Sequence, residues 1–165
     1  MQVYIVRHGI AEDYCAQGDA YRALTDEGRK RMCEVAAGLV TLRVSTDKIL
    51  SSPLVRAKQT ADIIADAMKM WAELMDELAP GHTPDEVCTE LAQFEDCQGI
   101  MLVGHQPNCS ELASYLLAGS DDLDLEFKKG AVCLIDTPKP APGAGTLAWL
   151  YPPKVLRSIA KNRAV

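Results

Sequence analysis

The sequence predicts a three-layer α/β/α fold in which a mostly parallel central sheet, with one antiparallel hairpin strand, is covered by helices on both faces. Apolar runs of strand length alternate along the chain with amphipathic stretches of helix length, and alternating β and α units form parallel sheets. The last third instead contains two strand-like runs joined by PKPAPGAG. A connection so rich in proline and glycine is typical of a hairpin loop.

The first third of the chain contains two strand–helix units. The apolar run at 2–6 is rich in β-forming residues and predicts the first strand. Thr25, followed by two acidic residues, is typical of a helix N-cap. The run at 47–51 predicts the second strand, and Ser52 followed by proline predicts the N-cap and first turn of a helix over 53–69.

The rest of the chain continues the alternation and then ends in the hairpin and a short helix. Its expected elements are a weak strand at 71–75, a helix from Thr83-Pro84 to about Glu95, a strand at 99–104, a helix over 107–118 closed by Gly119, hairpin strands at 131–137 and 146–151, and a helix from about 153 to 161.

Length and composition limit the possible functions. A chain of 165 residues fits a single domain over 1–165. A net charge of −6 with a pI near 5.0 argues against a nucleic-acid surface. The six cysteines form no C-x-x-C pair, and neither an export signal nor a membrane-length apolar run is visible. We therefore expect a soluble cytoplasmic monomer with reduced thiols and no bound metal.

Basic side chains follow three of the predicted strands. Arg7 and His8 come directly after the first strand, Arg56 lies in the first turn after the second, and His105 follows the strand at 99–104. In parallel sheets the ligand crevice lies beyond the carboxyl ends of the strands. Arginine forks and helix N-termini bind tetrahedral oxyanions, so these residues predict a phosphate site.

The two histidines suit phosphoryl transfer. A neutral imidazole can attack phosphorus and form a covalent intermediate, and a protonated one can donate to the equatorial oxygens. With a reference pKa of ~6.5, histidine can serve in either form.

At these motifs the sequence resembles the histidine phosphatase superfamily, in the branch that includes cofactor-dependent phosphoglycerate mutases, and more narrowly the SixA-type phosphohistidine phosphatases. The motifs are Arg7-His8-Gly9 after the first strand, Leu24-Thr25 opening the first helix, SSPLVRAKQTA at 51–61, ELAPG at 77–81 and VGHQP at 103–107. They occur in the family's order over most of the chain.

The resemblance implies a role for each matching residue. His8 would be the phosphorylated nucleophile, Arg7, Arg56 and His105 would form the phosphate pocket, Arg22, Gly9 and Gln106 would contact substrate, and Glu77 would be the first candidate for a general acid. We expect Gly9 to allow a tight backbone turn beside the phosphate. No metal or cofactor is implied. Between Leu74 and Thr83 there is room for only a short segment, which suits an open site that accepts a protein.

Three functions remain open at this stage. The first is a metal-independent phosphatase acting on phosphohistidine in a signalling or phosphotransfer protein, with inorganic phosphate as product. Its leaving group, imidazole, needs little help from a general acid. The second is a small-molecule phosphomonoesterase of the same superfamily, which would need that acid. The third is a phosphate-binding module without turnover.

Overall fold

The computed structural model of the protein describes residues 1–162. Its strands are β1 (Gln2–Arg7), β2 (Lys48–Ser51), β3 (Ala72–Leu74), β4 (Gly99–Gly104), β5 (Val132–Asp136) and β6 (Thr146–Tyr151). Its α-helices are α1 (Asp26–Thr41), α2 (Val55–Met68), α3 (Pro84–Leu91), α4 (Asn108–Ala118) and α5 (Pro153–Lys161). Single turns of 3₁₀ helix lie at Asp19–Tyr21, Asp76–Leu78 and Ala92–Phe94.

All of these strands belong to one sheet, in the order β3-β2-β4-β1-β5-β6. The first four in this order are mutually parallel, and β5 runs antiparallel to both of its neighbours. The predicted fold class, including its one antiparallel hairpin strand, is confirmed. In the register Arg7 pairs with Gly104 and Ser51 with Val103, so β1, β4 and β2 end at the same edge.

Helices cover both faces of the sheet. The apolar faces of α1, α2 and α5 form one core with alternate residues of the strands, such as Tyr4 and Val6. The other core contains α3 and α4 together with the intervening residues, such as Val3 and Ile5. This alternation follows from the two-residue repeat of a strand whose two faces are both buried.

The predicted helix caps are mostly found. The Thr25 hydroxyl accepts from the Gly28 N–H (2.9 Å), and Thr83 and Glu86 form a capping box at the start of α3. The prediction for Ser52 is wrong. The helix α2 begins at Val55, because the Ser52 N–H still donates to the Val103 carbonyl (3.0 Å) and so keeps this residue attached to the sheet.

The end of one helix differs from the prediction, whereas the length of one connection agrees with it. The helix α3 ends at Leu91 and is followed by a 3₁₀ turn, so the predicted end near Glu95 lies one turn too far. The connection between Leu74 and Thr83 holds one 3₁₀ turn and no larger insertion. Among the described residues, no helix has both the length and the apolar character needed to cross a membrane.

Candidate active site

The carboxyl ends of β1 and β4 bring two histidines together. His8 and His105 directly follow the paired residues Arg7 and Gly104, and the His8 N–H donates to the Gly104 carbonyl (3.0 Å). Both histidines are buried, and their ring centroids lie 5.1 Å apart. The main-chain ladder therefore fixes the separation of the two imidazoles.

The His8 ring is held in one orientation, with one nitrogen free for chemistry. Its Nδ1 lies 2.7 Å from the Gly9 carbonyl oxygen, which can only accept, so Nδ1 carries the proton and Nε2 has the lone pair. Arg56 Nε donates to this Nε2 (3.3 Å). Burial lowers the pKa of His8 to about 4, with Arg56, Arg7 and Lys129 adding to the decrease and the Gly9 hydrogen bond opposing it. His8 is therefore neutral at neutral pH.

His105 is oriented by a serine. Its Nε2 lies 2.8 Å from Ser52 Oγ, and this oxygen already accepts from the Leu54 N–H (3.3 Å). The Ser52 hydroxyl can donate its own hydrogen to His105 Nε2, which leaves the ring proton on Nδ1. Burial, followed by the charges of His8 and Arg56, lowers the pKa of His105 to about 3.

Arg56 connects the histidines to the loop after β1. It lies in the first turn of α2, and 4% of it is exposed. Besides its bond to His8, Nη1 donates to the Asp19 main-chain carbonyl (2.8 Å) and Nη2 donates to the Asp19 carboxylate (2.9 Å). The same carboxylate accepts from Arg22 Nε (2.8 Å), and Arg22 Nη1 donates to the Glu12 carbonyl (2.7 Å).

Arg7 approaches the pocket from the β5 side. Its Nη1 donates to the Phe127 carbonyl (2.7 Å), and burial lowers its pKa. Among the residues that the structure describes, two buried side-chain nitrogens have no hydrogen-bond partner: Arg7 Nε and His105 Nδ1. A buried donor without an acceptor is costly, by ~1–3 kcal/mol. An oxyanion between these two groups would satisfy both.

The structure requires glycine at position 9 for a different reason from the one expected. It does not adopt a positive φ, so no glycine-only turn is required. A Cβ on Gly9 would instead lie 2.6 Å from Cγ of Met32, which is buried in the core. The Gly9 N–H donates to the Thr60 hydroxyl (3.1 Å), which in turn donates to the Arg56 carbonyl (2.7 Å). These bonds tie the loop after His8 to α2.

The remaining two candidates differ in their placement. Glu77 is partly buried and lines, together with His105, a small cavity of about 20 Å³ between β4, α3 and α4. Gln106 is engaged elsewhere, because its amide group donates to the Ser110 hydroxyl (2.6 Å) and accepts from the Ser110 N–H (3.2 Å). The structure thus places Glu77 at a cavity that His105 also lines, and it pairs the Gln106 amide with Ser110.

Sequence reasoning missed several groups around the pocket. Ser52 and Asp19 contact the predicted residues directly, Thr60 fixes the loop, and the charge of Lys129 reaches His8. Ser52 could have been found, since it follows β2 at the edge where His8 follows β1. Within residues 1–162, no group of three or more His, Cys, Asp and Glu side chains could bind a metal ion.

Comparison with known proteins agrees with this geometry. The pattern of the histidine phosphatase superfamily (branch 1) matches residues 3–82. The phosphohistidine phosphatase SixA homolog of Haemophilus influenzae is 32% identical over 127 residues, which cover 70% of this chain and 77% of the relative. The chain belongs to the histidine phosphatase superfamily.

Other members of the superfamily are similar over nearly the whole chain. The phosphohistidine phosphatase SixA of Escherichia coli is 29% identical over 157 residues, covering 93% of this histidine phosphatase and 94% of the relative. The solved structure of the protein histidine phosphatase SixA complexed with tungstate has a TM-score of 0.85 and 29% identity, covering 94% of this chain and 99% of that one. These comparisons identify the protein as a phosphatase of this superfamily.

Proposed function

We propose that the protein is a metal-independent phosphatase that removes phosphate from phosphohistidine in a signalling or phosphotransfer protein, through a phosphohistidine intermediate on His8. The observation that carries the proposal is the state of the His8 ring. Gly9 holds the proton on Nδ1, and burial keeps the ring neutral, so that Nε2 presents its lone pair beside Arg56. That is the form of histidine that can attack phosphorus.

The groups around His8 supply the binding site for the phosphoryl oxygens. Within residues 1–162, Arg7 Nε and His105 Nδ1 are the buried side-chain nitrogens without a hydrogen-bond partner, and Arg56 donates to the nucleophile. We propose that the transferred phosphoryl group binds between the side chains of Arg7, Arg56 and His105. Arg22 would lie on the solvent side of this group. Preorganised donors of this kind, of which the two arginines are cationic, stabilise the charge of a transferring phosphoryl group.

The reaction has two displacement steps. The His8 Nε2 lone pair forms a bond to phosphorus while the bond between phosphorus and the substrate nitrogen breaks and returns its electron pair to that nitrogen. When the other ring nitrogen of the substrate carries a proton, the imidazole departs neutral. Water then attacks the phosphorus on His8, the bond to Nε2 breaks with its electrons returning to the ring, and inorganic phosphate and a proton are released.

Two findings support phosphohistidine as the substrate. The relatives from Escherichia coli and Haemophilus influenzae are named as a phosphohistidine phosphatase and its homolog. The connection from Leu74 to Thr83 contains only one 3₁₀ turn, which suits a site open to a side chain on another protein. We therefore propose a phosphotransfer-type domain as partner, with this protein acting as a cytoplasmic monomer.

A second candidate is a small-molecule phosphomonoesterase. An alkoxide leaving group needs a proton, and a positioned acid is worth roughly 10²–10⁴ in rate. Glu77 lines the same cavity as His105, which favours it as that acid. This candidate predicts that Glu77→Gln strongly reduces ester cleavage, whereas phosphohistidine cleavage should be nearly unchanged.

Paired assays in the presence of EDTA distinguish the candidates. Wild type, His8→Ala and the control Lys30→Ala, which changes an exposed residue of α1, are each given a phosphohistidine-bearing phosphotransfer domain and p-nitrophenyl phosphate. We expect wild type and Lys30→Ala to clear phosphohistidine rapidly and the ester slowly, and His8→Ala to do neither. Fast ester cleavage with an untouched phosphoprotein would move the substrate to small molecules. Full activity of His8→Ala would overturn the assigned nucleophile.

Alkaline quenching during a single turnover tests the intermediate, because the P–N bond of phosphohistidine survives at high pH and hydrolyses in acid. Phosphate bound to a histidine nitrogen should be found on the peptide that contains His8 and should be lost on acid treatment. Activity without any trapped phosphoenzyme on that peptide would contradict the two-step scheme.

A further inference from the structure

The carboxylate of Asp19 is an unexpected part of this pocket. Asp19 begins the 3₁₀ turn between β1 and α1 and forms ion pairs with Arg56 (2.9 Å) and Arg22 (2.7 Å). Arg56 is almost fully buried, whereas the Asp19 side chain is 61% exposed. Asp19 therefore lies at the boundary between the buried site and the solvent.

The position of this carboxylate is fixed by several bonds. Its two oxygens accept from different arginines, and its main-chain carbonyl accepts from Arg56 Nη1 (2.8 Å). Hydrogen bonds from Arg22 and Arg56 lower the pKa of Asp19, so the carboxylate is ionised at neutral pH. A negative charge is thus held in place at the opening of a site that binds anions.

The charge of Asp19 is close enough to affect the reacting groups. One guanidinium separates it from the nucleophile, since Arg56 donates to His8 Nε2 through Nε and to Asp19 through Nη1 and Nη2. On the other histidine, the Asp19 charge raises the pKa of His105 while the Arg22 charge lowers it. The charge of Asp19 therefore reaches His105 directly and is linked to His8 through Arg56.

We infer that the leaving group departs on the solvent side, where Asp19 lies. Displacement at phosphorus is roughly in line, so the group that departs lies on the side of phosphorus opposite the buried Nε2 of His8. An anionic substituent there would be repelled by Asp19, whereas a cation or an N–H donor would be attracted. The ring nitrogen of phosphohistidine that does not carry phosphate can be such a donor.

We propose that Asp19 is a specificity-determining residue that selects substrates by the charge of the leaving group, favouring imidazole and other neutral or cationic groups over anionic ones. This inference rests on the proposed phosphatase function and adds a substrate class to it. The alternative is that Asp19 only positions Arg56 and Arg22. A positioning role alone would affect all substrates equally.

The test uses three small esters with a different charge on the para position, phenyl phosphate and its 4-carboxy and 4-aminomethyl derivatives, whose intrinsic reactivities cancel when a variant is compared with wild type. The value of kcat/KM is measured for wild type and Asp19→Asn by release of inorganic phosphate. The quantity of interest is the preference for the aminomethyl over the carboxy ester, because any loss of arginine positioning cancels in that ratio. Asn also retains an acceptor oxygen for the arginines.

We expect Asp19→Asn to reduce this preference by about tenfold, since each unit charge contributes about threefold at ~6 Å in a water-like dielectric. Asp19→Glu should restore most of it. The control Asp66→Asn removes the same charge from the far end of α2 and should leave the ratio unchanged. The difference between Asp19→Asn and wild type should shrink at high salt, because exposed charges are screened.

An unchanged ratio in Asp19→Asn would overturn the inference, whether or not overall activity falls. So would an equal change in Asp66→Asn, which would show that only the net charge of the protein matters. The result is independent of whether phosphohistidine is the substrate. Failure to cleave a phosphohistidine protein would overturn the proposed function while the ester ratio still tested Asp19.

Discussion

The two buried histidines should make the stability of the protein depend strongly on pH. Their folded-state pKa values, about 4 for His8 and about 3 for His105, lie below the unfolded value of ~6.5. The folded protein thus binds fewer protons than the unfolded chain at mildly acidic pH. The stability that these residues contribute is fully present above pH ~6.5 and is lost as the pH falls toward the folded pKa values.

The loss between pH 7 and pH 5 follows from these values. At pH 5 both histidines are still neutral in the folded state but protonated in the unfolded state. A gap of ~1.5 pH units below the unfolded pKa corresponds to about 2 kcal/mol for each histidine. His8→Gln should therefore lose about 2 kcal/mol less stability than wild type over this interval.

Urea unfolding of wild type and His8→Gln at the two pH values measures the difference. Carboxylates elsewhere in the chain contribute equally to both proteins and cancel. If wild type and His8→Gln lose the same amount within about 0.5 kcal/mol, His8 is not kept neutral by burial, and the argument for its nucleophilic state fails.

Three further predictions concern residues that support the site. Ser52→Ala removes the hydroxyl beside His105 Nε2. It should lower kcat roughly 10- to 100-fold, the range found for hydrogen-bond partners that orient metal-binding histidines. An unchanged kcat on p-nitrophenyl phosphate would contradict the role of Ser52. Gly28→Ala would place Cβ 2.0 Å from the Ile10 carbonyl oxygen and Gly38→Ala would place it 2.2 Å from that of Leu156. Each substitution should lower the free energy of unfolding, measured in urea, by roughly 1–3 kcal/mol. Only Gly28→Ala, which displaces the loop after His8, should also lower kcat. Thr60→Val leaves the buried Gly9 N–H without its acceptor. It should lower the free energy of unfolding by about 1–3 kcal/mol and should also lower kcat, whereas Thr60→Ser should retain both the stability and the activity of wild type.

The sequence predicted the fold because local signals and global architecture agree. The strand at 99–104 is apolar throughout, as expected for a strand buried on both faces. Since strands of this kind are parallel neighbours in alternating α/β chains, residues just beyond their ends meet at one edge. That rule alone places His8 beside His105, although 97 positions separate them in the chain.

The parts of the site that escaped prediction depend on contacts with no local signature. Asp19 is an ordinary loop acid until α2 brings Arg56 within 2.9 Å of it. Ser52 satisfies the pattern of an N-cap, and only its hydrogen bond to the β4 main chain excludes that position. Gln106 stands in a matching motif, but its amide finds a nearer partner in Ser110. Such outcomes depend on side-chain geometry after the chain has folded.

The strand order has a consequence for how the protein is made. The strand β1, which precedes His8, does not adjoin β2; its neighbours are β4 and β5. A ribosome releases the segment with His8 well before the two strands that fix it, since β4 begins at Gly99 and β5 ends at Asp136. A nascent or truncated chain containing the first half of the sequence would have Arg7, His8 and Arg56 but no sheet to hold them together. We expect catalytic competence to arise late and all at once, so that incomplete chains in the cell are inactive.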